Sequence, residues 1–183
     1  MELLVAFSPF LAFLAGERRL GLVAGLTTAA AVAAVLVVRA RTRGTRETPV
    51  LEAGTAVLFG VLAACAAVMG DAAWSVGLVR LVVDLGLMGL VLAGVAVGRP
   101  FTLAMARAKV SAERAASPAF VRGASVIALA WAAAFGVLAL ADVVFMMRPD
   151  WPLAVPVAIG TAGLVAALAF TRWWPRRAAA VAG

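Results

Sequence analysis

From Leu81 to Gly98 the chain runs eighteen residues with one charge, Asp84. Such a run constrains the fold more than any other feature. In lipid every backbone N–H and C=O must find a partner inside the protein, which leaves helices or closed barrels as spanning elements. The run is continuously apolar and lacks the alternation of a barrel strand, so it is read as a helix. Comparable blocks recur at 3–15, 20–38, 50–70, 76–98, 123–147 and 153–171. They account for a composition that is 65% hydrophobic and only 14% charged, against about half and about a quarter in soluble domains. The expected fold class is all-α: one polytopic integral membrane domain over 1–183, with five or six membrane segments.

Five or six depends on the first block. Residues 3–15 fall short of the roughly 20 needed to cross a bilayer, and Pro9 lies inside them. The block is a short or tilted span, or a re-entrant element. Its acidic start, Glu2, does not fit a cleavable signal, so the segment is expected to be retained.

The connections set an orientation. Residues 39–47, 99–122 and 172–177 hold four, five and three of the sixteen basic residues, whereas 71–74 holds none and 148–152 is neutral. Alternate connections are therefore basic, and the positive-inside rule puts them, with the C-terminus, in the cytoplasm. Arg18 and Arg19, offset by Glu17, fit the rule least well. Trp74 and Trp151 then mark the outer interface and Trp173 and Trp174 the inner one, as interfacial anchors. Trp131, within the fifth block, is expected to pack against a neighbouring helix. The net charge of +7 follows from arginines at block ends facing lipid headgroups. Membrane lipids are the expected partner, and nucleic acid is not.

Catalytic and metal chemistry find little material. The chain has no histidine and one cysteine, Cys65, within an apolar block. Ser111 and Ser117 lack an imidazole to activate them. No catalytic, cofactor-binding or metal-ligating residue is assigned, and no enzyme activity is expected.

Two places remain distinctive. In the connection 99–122, Arg99-Pro100 ends the fourth block, and proline favours the first position of a new helix. A helix from Pro100 puts Phe101, Ala104, Met105 and Ala108 on one face and turns Thr102, Lys109 and Glu113 elsewhere. That is a short basic interfacial helix, serving either as a topology anchor or as a docking segment carried by Arg99, Pro100, Phe101, Met105, Arg107 and Lys109. The second place is the set of ionisable residues inside the spans, which are functional hypotheses by default. Arg80 and Asp84 are four apart on one helix face, about 6 Å and 12 Å below its start at about 1.5 Å per residue. Asp142 lies five residues before Met147, at a comparable depth. The expected arrangement is an Arg80–Asp84 pair bridged or extended by Asp142. A structural clamp, a proton or substrate path and a snorkelling arginine all remain open.

Several stretches together are similar to one family. They are "FSPFLAFL" at 7–14 with Phe7, Pro9 and Phe10, the arginine-rich loop after the second block, and "VLFGVLAA" at 57–64. The basic-Pro-apolar junction Arg99-Pro100-Phe101 follows, then Ala130, Trp131, Ala132 and Phe135 in the fifth block. The chain resembles the bacterial intracellular septation protein A family of inner-membrane proteins over most of its length. It departs from the pattern in having Asp142 where the family often has Asn, Phe120 where a tryptophan is common, one lysine and no tyrosine. The resemblance implies a non-enzymatic, multi-pass protein of the bacterial inner membrane, serving cell-envelope maintenance, septation or division. Its implied partners are membrane proteins of cell division or elongation. A small membrane transporter or channel component, acting as a homo-oligomer, is the alternative.

Overall fold

A computed structural model of the chain describes residues 8–42, 50–70, 74–107, 110, 111, 113, 115, 117–148, 150–152 and 154–181. Every regular element among them is helical: α1 (Ser8–Leu20), α2 (Leu22–Thr42), α3 (Val50–Met69), α4 (Val76–Ala96), α5 (Phe101–Arg107), α6 (Pro118–Met147) and α7 (Ala154–Val181). Among the described residues, four helices are long and apolar enough to cross a bilayer, over Leu22–Thr42, Gly77–Ala96, Pro118–Met147 and Ala154–Arg177, with a shorter apolar helix over Ala53–Met69. The chain is an all-α, polytopic membrane protein. The chain divides into two compact units, 1–79 and 80–183.

In the first unit, α1 and α2 form a hairpin joined by Gly21 alone. Gly21 has φ +90°, a conformation that costs glycine little and other residues much. Its N–H closes α1 on the Glu17 carbonyl, and its own carbonyl accepts from Gly25 in the first turn of α2. The two helices then touch backbone to backbone. A Cβ on Gly16 would sit 2.9 Å from Gly25 Cα, and one on Gly25 would sit 2.7 Å from the Glu17 nitrogen. Small residues at a contact let helices in lipid approach this closely, since packing rather than water exclusion drives them together. The α2 face that packs here carries Leu22, Gly25, Leu26, Ala29 and Ala33, at helical spacing. Phe13 of α1 and Phe59 of α3, both fully buried, meet with ring centroids 5.9 Å apart.

The first helix differs from the block read at 3–15. Over the described residues it runs Ser8–Leu20, continuing past Ala15, where the block was read to end. The 13 described residues reach about 20 Å at about 1.5 Å per residue. Residues 3–7 lie outside the described residues.

The second unit begins within α4. That helix ends in a Schellman turn: the Arg99 N–H bonds the Gly94 carbonyl at 2.8 Å and the Gly98 N–H bonds Val95 at 3.0 Å, with Gly98 at φ +70°. Pro100 follows, buried, and opens α5. Helix α6 begins at Pro118, five residues before the block read from 123. Ser117 caps it by accepting the Phe120 N–H, with proline at the first helical position. The connection read as 99–122 therefore closes at Ser117. Helix α7 likewise runs beyond the block read as ending at 171, continuing through Arg172, both tryptophans and Pro175 to Val181.

Helices α6 and α7 pack antiparallel. Cβ atoms added to Gly160 and Gly163 would each come within 3.4 Å of Leu138 and Val137 respectively. Farther along, the Trp131 Nε1–H donates to Thr171 Oγ1 at 3.0 Å. Trp131 is 3% exposed, so it packs against a neighbouring helix as expected, and its one polar atom is satisfied there.

Candidate functional site

The ionisable side chains of the spans meet in the second unit. Ser75 caps α4 by accepting the Leu78 N–H at 3.1 Å, which fixes Arg80 about one turn into the helix and Asp84 one turn further. Asp142 comes from α6, five residues before that helix ends at Met147. Because the two helices present these positions at similar distances from their ends, the side chains meet. The Arg80 Nη2 lies 3.1 Å from Asp142 Oδ1.

This differs from the arrangement read in the sequence. Arg80 pairs with Asp142 across helices, not with Asp84 four residues on. Asp84 lies within electrostatic reach of both Asp142 and Arg80. Both carboxylates are 2% exposed, while the Arg80 side chain keeps 27% exposure. Two oxygens in the set, Asp84 Oδ1 and Asp142 Oδ2, are buried without a hydrogen-bond partner. One guanidinium therefore serves two carboxyls. Among the described residues, no three His, Cys, Asp or Glu side chains gather so as to hold a metal ion.

The segment read as a docking element is folded onto α6. Thr102 Oγ1 donates to the Ala124 carbonyl at 2.7 Å, and Thr102, Leu103 and Pro100 are buried. Thr102, expected to turn away, is thus the contact that seats α5. Phe101 is half-buried, Ala104 and Arg99 are exposed, and Arg107 is half-buried. The Met105 side chain and Lys109 lie outside the described residues. A threonine that spends its hydroxyl on a carbonyl of the next helix has no sequence signal of its own; only the packing reveals it.

The tryptophans divide between the two ends of the helices. Trp74 is half-buried just before α4, its Nε1 enclosed without a partner. Trp151 is half-buried between α6 and α7, with the Arg148 guanidinium 5.5 Å from its ring centroid and Arg148 paired to Asp150 at 3.3 Å. Trp173 and Trp174 belong to α7. Trp174 stacks on Phe170 at 5.5 Å, and its buried Nε1 faces Gly123 of α6. Trp173 is 47% exposed and carries the Arg177 guanidinium 5.2 Å from its ring centroid.

No model of a protein family matches this chain, and neither does any curated protein or solved structure.

Proposed function

We propose that this chain is a non-enzymatic protein of the bacterial inner membrane, serving cell-envelope maintenance, septation or division through protein and lipid contacts. The observation that supports the contact-based part is the Arg80–Asp142 pair. The intramembrane charges are turned on one another and tie α4 to α6, as a scaffold requires. The envelope role follows the resemblance to the intracellular septation protein A family at Phe7, Pro9, Arg99-Pro100-Phe101 and Trp131. On this reading five or six segments lie in the membrane with the C-terminus in the cytoplasm, and the partners are lipids and membrane proteins of division or elongation. Depletion in the native bacterium tests it. Cell length or envelope integrity changes on depletion and recovers with the native gene; unchanged cells under septation stress refute the envelope role.

A second reading, a small transporter or channel component, is favoured by the two unpartnered carboxylate oxygens, Asp84 Oδ1 and Asp142 Oδ2. Buried polar groups are ordinarily partnered, and acids within spans commonly mark ion or proton paths. Reconstituted protein then carries an ion or proton flux that Asp84→Asn abolishes. No flux above that of empty vesicles refutes it.

A further inference from the structure

Helix α7 is longer than a bilayer needs. Its 28 residues reach about 42 Å, against about 30 Å of hydrocarbon. Counted from Ala154, about twenty residues cross the core, which brings Arg172, Arg176 and Arg177 to the headgroup layer at its far end. All three are exposed.

The register of α6 on α7 brings a further arginine to this level. Gly160 faces Leu138, Gly163 faces Val137, and Gly123 faces Trp174. That antiparallel register puts Arg122, exposed on α6, level with Trp174 and Pro175, but Trp174 faces α6, so Arg172 and Arg176, two residues to either side of it, lie on the opposite face of α7.

We infer that the exposed surface at this end of α7 is a binding site for the phosphate headgroup of an anionic phospholipid, built by Arg172, Arg176 and Arg177. Charge complementarity selects the ligand: several guanidiniums at headgroup depth attract an anionic lipid over a zwitterionic one. Arginine also forms paired hydrogen bonds to phosphate. Arg177 is held over the Trp173 ring, which orders its guanidinium before the lipid arrives and reduces the entropy lost on binding. Trp173, half-exposed, offers an indole at the depth where such rings prefer to lie. Such a site exists whether or not the protein serves septation.

Thermal unfolding of the full-length protein in dodecyl maltoside tests it, with dioleoylphosphatidylglycerol or dioleoylphosphatidylcholine added at equal mole fraction. Phosphatidylglycerol raises the midpoint and phosphatidylcholine does not. Each arginine near a charged headgroup contributes about fivefold in affinity. Arg172→Gln with Arg176→Gln and Arg177→Gln therefore weakens the preference on the order of tenfold to a hundredfold, and by more than Arg39→Gln with Arg41→Gln on α2. Equal effects of the two lipids, a preference kept by the triple variant, or the same rise from inorganic phosphate alone overturns the site. Should the triple variant not fold, the native protein decides in about 0.5 M NaCl, where the Debye length falls below about 5 Å. A preference lost in salt supports the site, and one that persists overturns it.

Discussion

Removing Arg80 leaves two buried carboxyls facing one another with no cation between them. The 3.1 Å contact to Asp142 is an interhelical one, so its loss acts on the packing of α4 against α6 rather than on either helix alone. In water, breaking a buried pair costs about 3–5 kcal/mol. Polar contacts in membranes measure less, averaging about 0.6 and reaching about 1.7 kcal/mol, because the unfolded chain in lipid or detergent also finds partners. The Arg80 side chain is 27% exposed, which favours the lower part of that span. We expect Arg80→Ala to cost about 1–2 kcal/mol, or about 2–8 °C in the melting midpoint at this chain length. Asp142→Asn should cost less. Arg80 then keeps Asp84 within its field and, being partly exposed, can extend toward the nearby headgroups.

The double variant separates a real pair from two independent losses. If Arg80 and Asp142 act on each other, Arg80→Ala with Asp142→Asn is destabilised by less than the sum of the singles, with a coupling of about 0.6–2 kcal/mol. Melting of the purified protein in detergent, followed by circular dichroism, measures all four corners of the cycle. Arg41→Ala, at an exposed position on α2, is the reference for a surface charge. Additive losses, or an Arg80→Ala midpoint equal to that of Arg41→Ala, would refute the clamp.

Three further outcomes follow from the same structure. In a Cys65→Ala background, single cysteines at Thr42 and Ser117 should resist an impermeant thiol reagent in intact cells while one at Ser75 reacts; labelling at Ser117 would reverse the orientation. Gly25→Ala brings a Cβ to 2.7 Å from the Glu17 nitrogen and should force α1 from α2 at a cost of about 1–3 kcal/mol, whereas Gly60→Ala, with open space around it, should melt like the native protein. Trp131→Phe removes the indole N–H that Thr171 accepts; it should cost about 1 kcal/mol and leave Thr171→Val little further effect, and fully additive losses would rule out that bond.

The membrane class was legible because lipid imposes one rule on every residue of a span. Runs such as Leu81–Gly98 satisfy it whatever the rest of the chain does. Helix ends were less legible where a helix outlasts its apolar stretch. Arg122 masked the start of α6, although Ser117-Pro118 is a capping pair that marks it, and Arg172 masked the continuation of α7. The charge set was half legible. Helical spacing ranks Asp84 as the neighbour of Arg80, and only the packing of α6 brings Asp142 closer. Depth did carry over: residues equally far from the ends of antiparallel helices meet, so Asp142 could be placed at the level of Arg80 before its contact was known.

The short helix after Pro100 was legible, but its buried face was not. A seven-residue helix has too few positions for periodicity to identify its buried face. Ranking Phe101, Ala104 and Met105 by apolarity pointed that face outward, to lipid or to a partner. The structure instead buries Thr102 and Leu103, because a hydroxyl that reaches the Ala124 carbonyl at 2.7 Å gains a hydrogen bond where water is scarce. The helix is therefore anchored by a polar contact, and Phe101 is left half-buried at its margin. If α5 also docks a partner, the residues it offers are Phe101 and the exposed Arg99 and Ala104, not the seated Thr102 and Leu103. Anchoring and docking then separate by residue. Thr102→Val should loosen the seat and lower the melting midpoint, whereas Phe101→Ala should leave the fold in place and act on any partner alone.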